Sequence, residues 1–262
     1  QLDDSVFRHS LIVFIILSLL GGNMPKRIIF CSGAGASVAA GIPTFRDADG
    51  LWAKHKVEDV CNYKTWRANF ELVHQFYEQR RKEIWSCAPT RFHKMVAKLQ
   101  QEFGSGSVEN ITTNVDGLFD KAGCLRTIQL HGNIHAMSLD WEEVRDGHAN
   151  PVVLTKPEFD YKSYPKSKPY VVFFNEAAPE YGKMWNLAAQ ITPDDLVIIV
   201  GSSEQVISFR NEFYNANHIW FVNPAVKAIV RPTEYGVKAI KSNAEDFVDN
   251  FEQEIRNWLE YE

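Results

Sequence analysis

The sequence predicts an α/β fold, a doubly wound parallel sheet with a small second lobe made from two insertions. Three observations predict it: six short apolar runs rich in β-branched residues, helical patterns between most of them, and a glycine-rich turn directly after the first run. Buried parallel strands are apolar along their whole length because helices cover both faces of the sheet. With 262 residues and 45% hydrophobic content, the chain can form one large domain with a smaller lobe.

The strands and helices alternate along the chain as a doubly wound sheet requires. We predict that all the apolar runs are strands of the parallel sheet, at 27–31, 108–112, 126–130, 170–174, 196–200 and 218–222. We predict helices at 70–83, 90–103, 181–190 and 244–259.

Two insertions interrupt this alternation. We expect residues 49–87 to form a helical insertion, and the less regular, proline-rich residues 135–168 to form a surface excursion of the small lobe. The large domain then consists of residues 24–48, 88–134 and 169–262.

The amino-terminal segment is apolar from Leu11 to Gly22, which is shorter than the about 20 residues that span a bilayer. Acidic residues stand where a signal peptide carries basic ones. We expect residues 1–23 to be an extraneous or wrongly translated leader before Met24, with an apolar helix docked on the body as the alternative. We expect no membrane association.

Charge and cysteine content narrow the class of protein. The net charge of −5, from 33 acidic and 28 basic residues, provides no basic field for nucleic acid, so no nucleic-acid partner is expected. Four widely spaced cysteines without a CxxC pair favour a reducing, cytoplasmic location.

A glycine loop, SGAGASVAAGIPTFRD, follows the first predicted strand from Ser32 to Asp47. Gly33 and Gly35 allow a tight turn and a close approach to a pyrophosphate, and the VAA segment is expected to open a helix whose amides face the phosphates. Val38 occupies the third glycine position of GxGxxG. A plain glycine turn between strand and helix is the alternative interpretation.

The loop is the first of several motifs that occur in a fixed order. The pattern GAGxSxxxGIPTFRD, followed by TxNxD, LHG, VVFFxE, GSS and VNP, resembles the sirtuin family from about Arg27 to the end of the chain. The resemblance implies a Rossmann-like NAD-binding domain. It also implies an NAD-dependent protein-lysine deacylase that consumes NAD, acts on acyl-lysine proteins or peptides, and releases nicotinamide and 2′-O-acyl-ADP-ribose.

Polar residues follow the second and third predicted strands, where open α/β sheets bind ligands. On Asn114 and Asp116 alone, a turn before a helix is an equal alternative. The resemblance implies that Asn114 orients the ribose and a water and that Asp116 holds the nicotinamide carboxamide. Thr113 stands where the family usually has Gln, so its shorter hydroxyl reaches less far toward the ribose.

His131 has a side chain whose ordinary pKa of about 6.5 suits proton transfer, although a lone histidine is usually structural. The resemblance makes it the general base, which takes a proton from a ribose hydroxyl, and Asn114 the second catalytic residue. The cofactor-binding set implied by the family consists of Gly33, Ala34, Gly35, Ser37, Thr44, Phe45, Arg46, Thr113, Asn114, Asp116, Gly201, Ser202, Ser203 and Asn223.

The segment PYVVFFNE resembles the one along which a substrate peptide pairs as an added strand. Val172 and Phe174 are then expected to line the acyl-lysine tunnel, a role that a plain core strand also permits. Asn175 stands where the family usually has glycine.

Tyr77 and Arg80 are three residues apart on a predicted helix and share a face. The pair resembles the subgroup that accepts acidic acyl chains, with Arg80 as a fork for a carboxylate and Tyr77 as a hydroxyl donor. Succinyl- and malonyl-lysine then join acetyl-lysine as candidate substrates. The alternative is a solvated face on which Arg80 and Arg81 pair with Glu78 or Glu83.

Sirtuins usually carry two CxxC pairs for zinc between the catalytic histidine and the VVFFGE strand. This chain has no cysteine after Cys124, and only His135 and His148 remain in that segment, so we expect no bound zinc and no other metal. We expect four aromatic residues to form an apolar cluster there instead: Trp141, Phe159, Tyr161 and Tyr164.

Other functions stay open at this point. The unusual Thr113 and Asn175 leave NAD hydrolysis or ADP-ribosyl transfer on the same scaffold as one alternative, and a non-catalytic module that binds NAD or ADP-ribose is another. A dehydrogenase fits less well because the third glycine and an evident substrate domain are missing.

Overall fold

The structure is a computed structural model, and it describes residues 26–43, 56–230 and 236–260. Two sheets organise this part of the chain. Their strands are β1 (Ile28–Ser32), β2 (Val108–Thr112), β3 (Ile128–Gln129), β4 (Gly132–Ser138), β5 (Val152–Val153), β6 (Lys168–Val171), β7 (Leu196–Val200), β8 (His218–Val222) and β9 (Val237–Ile240). The helices are α1 (Val57–Val60), α2 (Phe70–Trp85), α3 (Arg91–Phe103), α4 (Leu118–Ala122), α5 (Trp141–Arg145), α6 (Tyr181–Ala188), α7 (Phe209–Glu212) and α8 (Ala244–Glu260).

The larger sheet is parallel throughout, with the order β3-β2-β1-β7-β8-β9. Both of its faces are buried. Phe30 packs on one face with Phe92 of α3 and Phe247 of α8. Cys31 points to the other face, toward the cluster that contains Met184 of α6. Helices on both faces explain the uninterrupted apolar strands and confirm the predicted doubly wound fold.

The strand order reverses at β1. The chain places β2 on one side of β1 and later returns to place β7 on the other, so Ser32 pairs with Thr112 and with Val200. The loops that leave these three strands therefore meet at one edge of the sheet. Such a reversal point is where open α/β sheets bind ligands.

The prediction that residues 170–174 form a strand of the parallel sheet is wrong. Strand β6 pairs antiparallel with β4 in a separate three-stranded sheet of order β5-β4-β6. An apolar β-branched run predicts a strand but carries no information about its partner. The partner, β4, was not predicted, because its sequence GNIHAMS has no long apolar run.

Helix α2 joins the two insertions into a small lobe. The guanidinium of Arg81 is buried and donates to the carbonyl oxygens of Ile134 (2.8 Å) and Pro157 (2.7 Å). The alternative of a solvated face is therefore wrong for Arg81. His74 belongs to the same helix, and its Nε2 donates to the carbonyl oxygen of Ser167 at 3.1 Å.

The expected aromatic cluster forms in part. Phe159 and Tyr161 both stack on the His74 ring, with centroids 6.2 and 4.8 Å away, and Tyr164 stacks on Phe159 at 5.5 Å. Trp141 lies elsewhere and packs against the buried ammonium of Lys168, 4.5 Å from its ring centroid. Residues 135–168 are thus packed against α2 through His74, a residue that the sequence does not predict to be part of this cluster.

None of the helices in the described ranges has the length and apolar character to cross a bilayer. The predicted leader, residues 1–23, lies outside those ranges.

Candidate active site

The glycine loop contains two short 3₁₀ turns, Ala34–Ala36 and Val38–Ala40, so the helix expected to open at VAA is a single 3₁₀ turn. The backbone amides of Gly33 and Gly35 donate to the carbonyls of Val200 (3.1 Å) and Gly201 (3.0 Å). These bonds fix the loop against the end of β7 and the residue that follows it.

The two glycines of this loop are required by contact with the GSS loop. A Cβ at Gly33 would lie 2.9 Å from the Gly201 oxygen, and one at Gly35 would lie 2.6 Å from the Gly201 Cα. Gly201 itself has φ of 63°, in the left-handed region that favours glycine. Close packing of two loops, rather than an unusual φ at 33 or 35, therefore explains this part of the motif.

Asn114, Asp116 and Ser37 form a hydrogen-bonded group at the sheet edge. The Ser37 hydroxyl donates to Asp116 Oδ2 at 2.6 Å, and Asn114 Nδ2 donates to Ser37 Oγ at 3.1 Å and to the Gly33 carbonyl at 3.0 Å. Burial raises the pKa of Asp116, while the Ser37 hydroxyl and the Leu118 amide oppose that shift. The motif TxNxD is thereby tied directly to the glycine loop.

His131 lies beside this group with both ring nitrogens engaged. Its Nδ1 is 3.1 Å from the carbonyl oxygen of Thr113, and its Nε2 is 3.1 Å from the hydroxyl of Tyr181. A carbonyl only accepts, so Nδ1 carries the hydrogen and Nε2 presents a lone pair. Burial lowers the pKa of His131, so the imidazole is in its neutral form, with Nε2 unprotonated, near neutral pH.

Thr113 contributes its carbonyl to His131, while its hydroxyl donates to the Ser32 carbonyl at 3.3 Å. The hydroxyl of Thr113 is therefore hydrogen-bonded to the protein backbone. Thr113 orients the imidazole from the end of β2.

The predicted adenosine residues link two loops at the ends of β7 and β8. Asn223 Nδ2 donates to the Ser202 carbonyl at 2.9 Å, and Asn223 Oδ1 accepts from the Ala225 amide at 2.8 Å. Ser202 Oγ accepts from the Glu204 amide at 3.1 Å. Ser203, half-buried, follows at the same edge.

The segment after β6 runs past His131 into the small lobe. The Val172 amide donates to the His131 carbonyl at 2.9 Å, and the Phe174 amide donates to the Cys61 carbonyl at 3.0 Å. The Phe174 side chain is 51% exposed, which leaves an aromatic surface beside the site. Asn175 has φ of 65°, the left-handed conformation that glycine adopts readily.

A buried ion pair between Lys168 and Glu176 stabilises the segment that follows β6. Lys168 Nζ lies 3.1 Å from Glu176 Oε2, and both side chains are almost completely buried. The same carboxylate oxygen accepts from the Phe173 amide at 2.6 Å, and Lys168 donates to the Val171 carbonyl at 2.5 Å. Burial lowers the pKa of Lys168 to about 8 and raises that of Glu176.

Tyr77 and Arg80 have different surroundings on α2. The Tyr77 ring is buried and stacks on Phe173 with centroids 5.6 Å apart, and its hydroxyl donates to Cys61 Sγ at 3.3 Å. Arg80 pairs with Glu83 on its own helix at 2.5 Å, with 14% of its side chain exposed. Tyr77 therefore contacts the segment after β6, while Arg80 has a carboxylate partner of its own.

Thr44, Phe45 and Arg46 lie outside the described residues. Within those ranges no group of three potential metal ligands occurs. His135 is buried and donates to the Asp116 carbonyl at 3.0 Å, and burial lowers its pKa to about 4. His148 is exposed, 3.6 Å from Glu143.

Two further residues of the site were not predicted. Tyr181 reaches His131 from the first turn of α6, and no local sequence pattern indicates that contact. Gly132, the glycine of LHG, has φ of 83°, and a Cβ there would overlap the Tyr170 carbonyl. In the sequence, the position of Gly132 directly after His131 is the feature that could have indicated its role.

Known proteins resemble this chain in sequence and in fold. A model of the Sir2 family matches residues 33–208. An NAD-dependent protein deacylase of Helicobacter hepaticus is 37% identical over 200 residues, which cover 70% of this chain and 77% of that protein. One of Helicobacter pylori (strain J99) is 31% identical over 230 residues, covering 84% and 91%.

The fold agrees with that of a solved Sir2 homolog in complex with NAD, with a TM-score of 0.71 at 24% identity, over 89% of this chain and 91% of that one. The matched region extends from the glycine loop past the GSS motif, and most of its length lies within the described structure. The chain belongs to the Sir2 family, the sirtuins.

Proposed function

We propose that this chain is an NAD-dependent protein-lysine deacylase. The observation that carries the proposal is the neutral His131 imidazole, whose Nε2 lone pair lies at the sheet edge where the glycine loop, Asn114 and Asp116 meet. The relatives in Helicobacter bear the same name, NAD-dependent protein deacylase. A general base beside a nucleotide-binding edge is what removal of a ribose proton requires.

The residues at this edge fit NAD as a co-substrate. The Ala34 amide has no hydrogen-bond acceptor within the described ranges and is free to bind a phosphate oxygen. We assign the buried carboxylate of Asp116 to the nicotinamide carboxamide. We assign the side-chain amide of Asn114 to the ribose. Bound NAD would supply an electrophilic ribose carbon and nicotinamide as the leaving group. We assign the adenosine half to Gly201, Ser202, Ser203 and Asn223.

The chemistry of this chain's own residues is proton transfer and orientation. We assign His131 Nε2 the proton of a ribose hydroxyl, with the Thr113 carbonyl holding Nδ1–H so that Nε2 stays basic. Asn114 is fixed by bonds to Gly33 and Ser37 and so presents its amide oxygen in one orientation. The donor and acceptor pattern of each side chain supports these roles.

The acyl-lysine would enter beside Val172 and the exposed ring of Phe174. The small lobe shapes this entrance because Tyr77 stacks on Phe173, the residue between them. We propose that residues 49–87 and 135–168 form this lobe in the working enzyme. We also propose that an acidic acyl chain reaches Arg80, which must then exchange or share its present partner, Glu83.

We propose that the lobe holds no zinc. Protein contacts supply the cross-links instead: Arg81 to Ile134 and Pro157, and the ion pair of Lys168 with Glu176. One equivalent of zinc in metal analysis of the purified protein would contradict this. The four cysteines are free, which is consistent with the reducing cytoplasm that we propose as its location.

The test is nicotinamide release by purified protein with NAD and one of three matched peptides, carrying acetyl-lysine, succinyl-lysine or unmodified lysine. We expect release only with an acylated peptide, and none from His131→Ala. Equal release with the unmodified peptide would instead identify an NAD glycohydrolase. Binding of NAD without turnover of any peptide would identify a non-catalytic module.

A further inference from the structure

Tyr181 is hydrogen-bonded to His131 Nε2, the atom to which we assign proton removal in the proposed reaction. Its hydroxyl lies 3.1 Å from His131 Nε2, and the two rings stack with centroids 6.1 Å apart and an interplanar angle of 26°. Tyr181 is the first residue of α6, and its ring also packs edge-on against Trp185 one turn later, at 5.7 Å. The contact with Trp185 holds the phenol beside the Nε2 edge of the imidazole.

The direction of this bond follows from the other side of the ring. Because Thr113 accepts from Nδ1, the neutral imidazole has its lone pair on Nε2, and the Tyr181 hydroxyl must be the donor. A neutral imidazole has one such lone pair. The phenol and a ribose hydroxyl therefore cannot both donate to Nε2.

We propose that Tyr181 is a positioning residue that caps His131 in the free enzyme and leaves Nε2 when the ribose hydroxyl of NAD takes its place. The inference rests on the proposed function, in which His131 is the base. In the free enzyme the cap holds the ring in its Nδ1–H tautomer. In the complex the phenol no longer contacts the base.

The groups around the pair leave the imidazole without a direct ionic partner in the described structure. The shift of the His131 pKa comes from burial, opposed by the Thr113 carbonyl. Burial raises the pKa of the Tyr181 phenol, and the negative charge of Glu212 in α7 adds to that rise. Glu180, next to Tyr181, pairs with Lys183 at 2.8 Å. The phenol is thus protonated and able to donate at neutral pH.

A donor on Nε2 stabilises the neutral imidazole, so its loss raises the His131 pKa. The acid limb of kcat/KM for NAD reports the free enzyme, and that of kcat reports the complex. We expect Tyr181→Phe to move the kcat/KM limb up by about 0.5 to 1 pH unit and to leave the kcat limb in place. Tyr214→Phe, at an exposed tyrosine, is the control and moves neither.

Two kinetic results would overturn the cap. If neither limb moves, the phenol does not act on the base. If both limbs move equally, the phenol stays on Nε2 in the complex and is not displaced.

A second measurement does not depend on activity. NMR titration of ¹³C-labelled histidine in the ligand-free protein, with His131→Gln to assign the resonance, gives the His131 pKa directly. We expect Tyr181→Phe to raise it by about 0.5 to 1 unit. An unchanged value contradicts the cap, whereas a raised value in an inactive protein supports the cap and refutes the deacylase.

Discussion

The hydroxyl of Ser37 donates to the carboxylate of Asp116 across 2.6 Å, with both side chains buried. The two residues are separated by 79 positions in sequence and lie in different loops, one after β1 and the other after β2. Their hydrogen bond joins the glycine loop, which we assign to NAD phosphates, to the residues that we assign to nicotinamide and ribose. The geometry of the two halves of the site is therefore interdependent.

Ser37→Ala tests this bond. It removes a hydrogen bond to a buried carboxylate, and we expect the free energy of unfolding to fall by about 1.5 to 3 kcal/mol. We also expect a higher KM for NAD, because Asn114 loses its contact with Ser37 Oγ. Urea denaturation and initial rates measure the two effects.

The control for this change is Ser163→Ala, which removes a bond of equal length to Asp160 on the exposed surface. Its effect on stability should stay within about 0.5 kcal/mol. Equal losses in the two variants would show that the Ser37–Asp116 bond has no special role.

Asn175 adopts a left-handed conformation that Asn tolerates and glycine prefers. We expect Asn175→Gly to keep stability within about 0.5 kcal/mol and to retain deacylation. Asn175→Val, a β-branched residue, should cost about 1 to 2 kcal/mol because of its positive φ. Thermal unfolding compares them, and a Val variant as stable as the Gly variant would contradict the assigned conformation.

Arg80 tests the acyl preference. Loss of a charged hydrogen bond to a succinyl carboxylate should lower kcat/KM for the succinyl peptide roughly 10- to 100-fold in Arg80→Met, with a smaller change for the acetyl peptide. Because Glu83 competes for Arg80, Glu83→Gln should raise the succinyl-to-acetyl ratio.

Glu78→Gln is the matched control on the same helix, since Glu78 pairs with Lys82 at 2.8 Å. It should leave the ratio at the wild-type value. Equal losses on both peptides in Arg80→Met would make Arg80 a structural residue.

His74 makes stability sensitive to acid. Its pKa is lowered to about 4 by burial, whereas an unfolded histidine titrates near 6.5. Between these values the unfolded chain binds a proton that the native protein does not, so the free energy of unfolding falls as the pH drops from 6.5 to 4. The loss from this group reaches about 3 kcal/mol.

His74→Phe preserves the stack on Tyr161 and removes the titrating group. We expect lower stability at pH 7, from the lost bond to Ser167, but a weaker fall toward pH 4. His148→Phe, at an exposed position, should keep the wild-type slope. Urea unfolding at a series of pH values measures how the free energy of unfolding depends on pH. An unchanged dependence in His74→Phe would contradict the assignment of the acid sensitivity to His74.

The parallel sheet was predictable because burial on both faces leaves an apolar run in the sequence. Predicted strands 108–112, 196–200 and 218–222 match β2, β7 and β8 residue for residue. Strand β9 escaped prediction because it is an edge strand with two exposed residues among its four. The small sheet escaped because its pairing depends on long-range contacts, not on local pattern.

The site was predictable where a motif carries it. His131, Asn114 and Asp116 lie at one sheet edge because their strands are neighbours in it. The contact of Tyr181 with His131 was not predictable, since 50 positions separate them and helix α6 carries no motif at its first residue. The burial of Lys168 likewise follows from the tertiary fold, which brings Glu176 to it.

The most direct test of the account is the fate of the acyl group in a single assay with an acetyl-lysine peptide and NAD, followed by mass spectrometry of all products. We predict equal amounts of deacetylated peptide, nicotinamide and O-acetyl-ADP-ribose, and none of them with His131→Ala. Nicotinamide and unmodified ADP-ribose with the peptide still acetylated would contradict a deacylase.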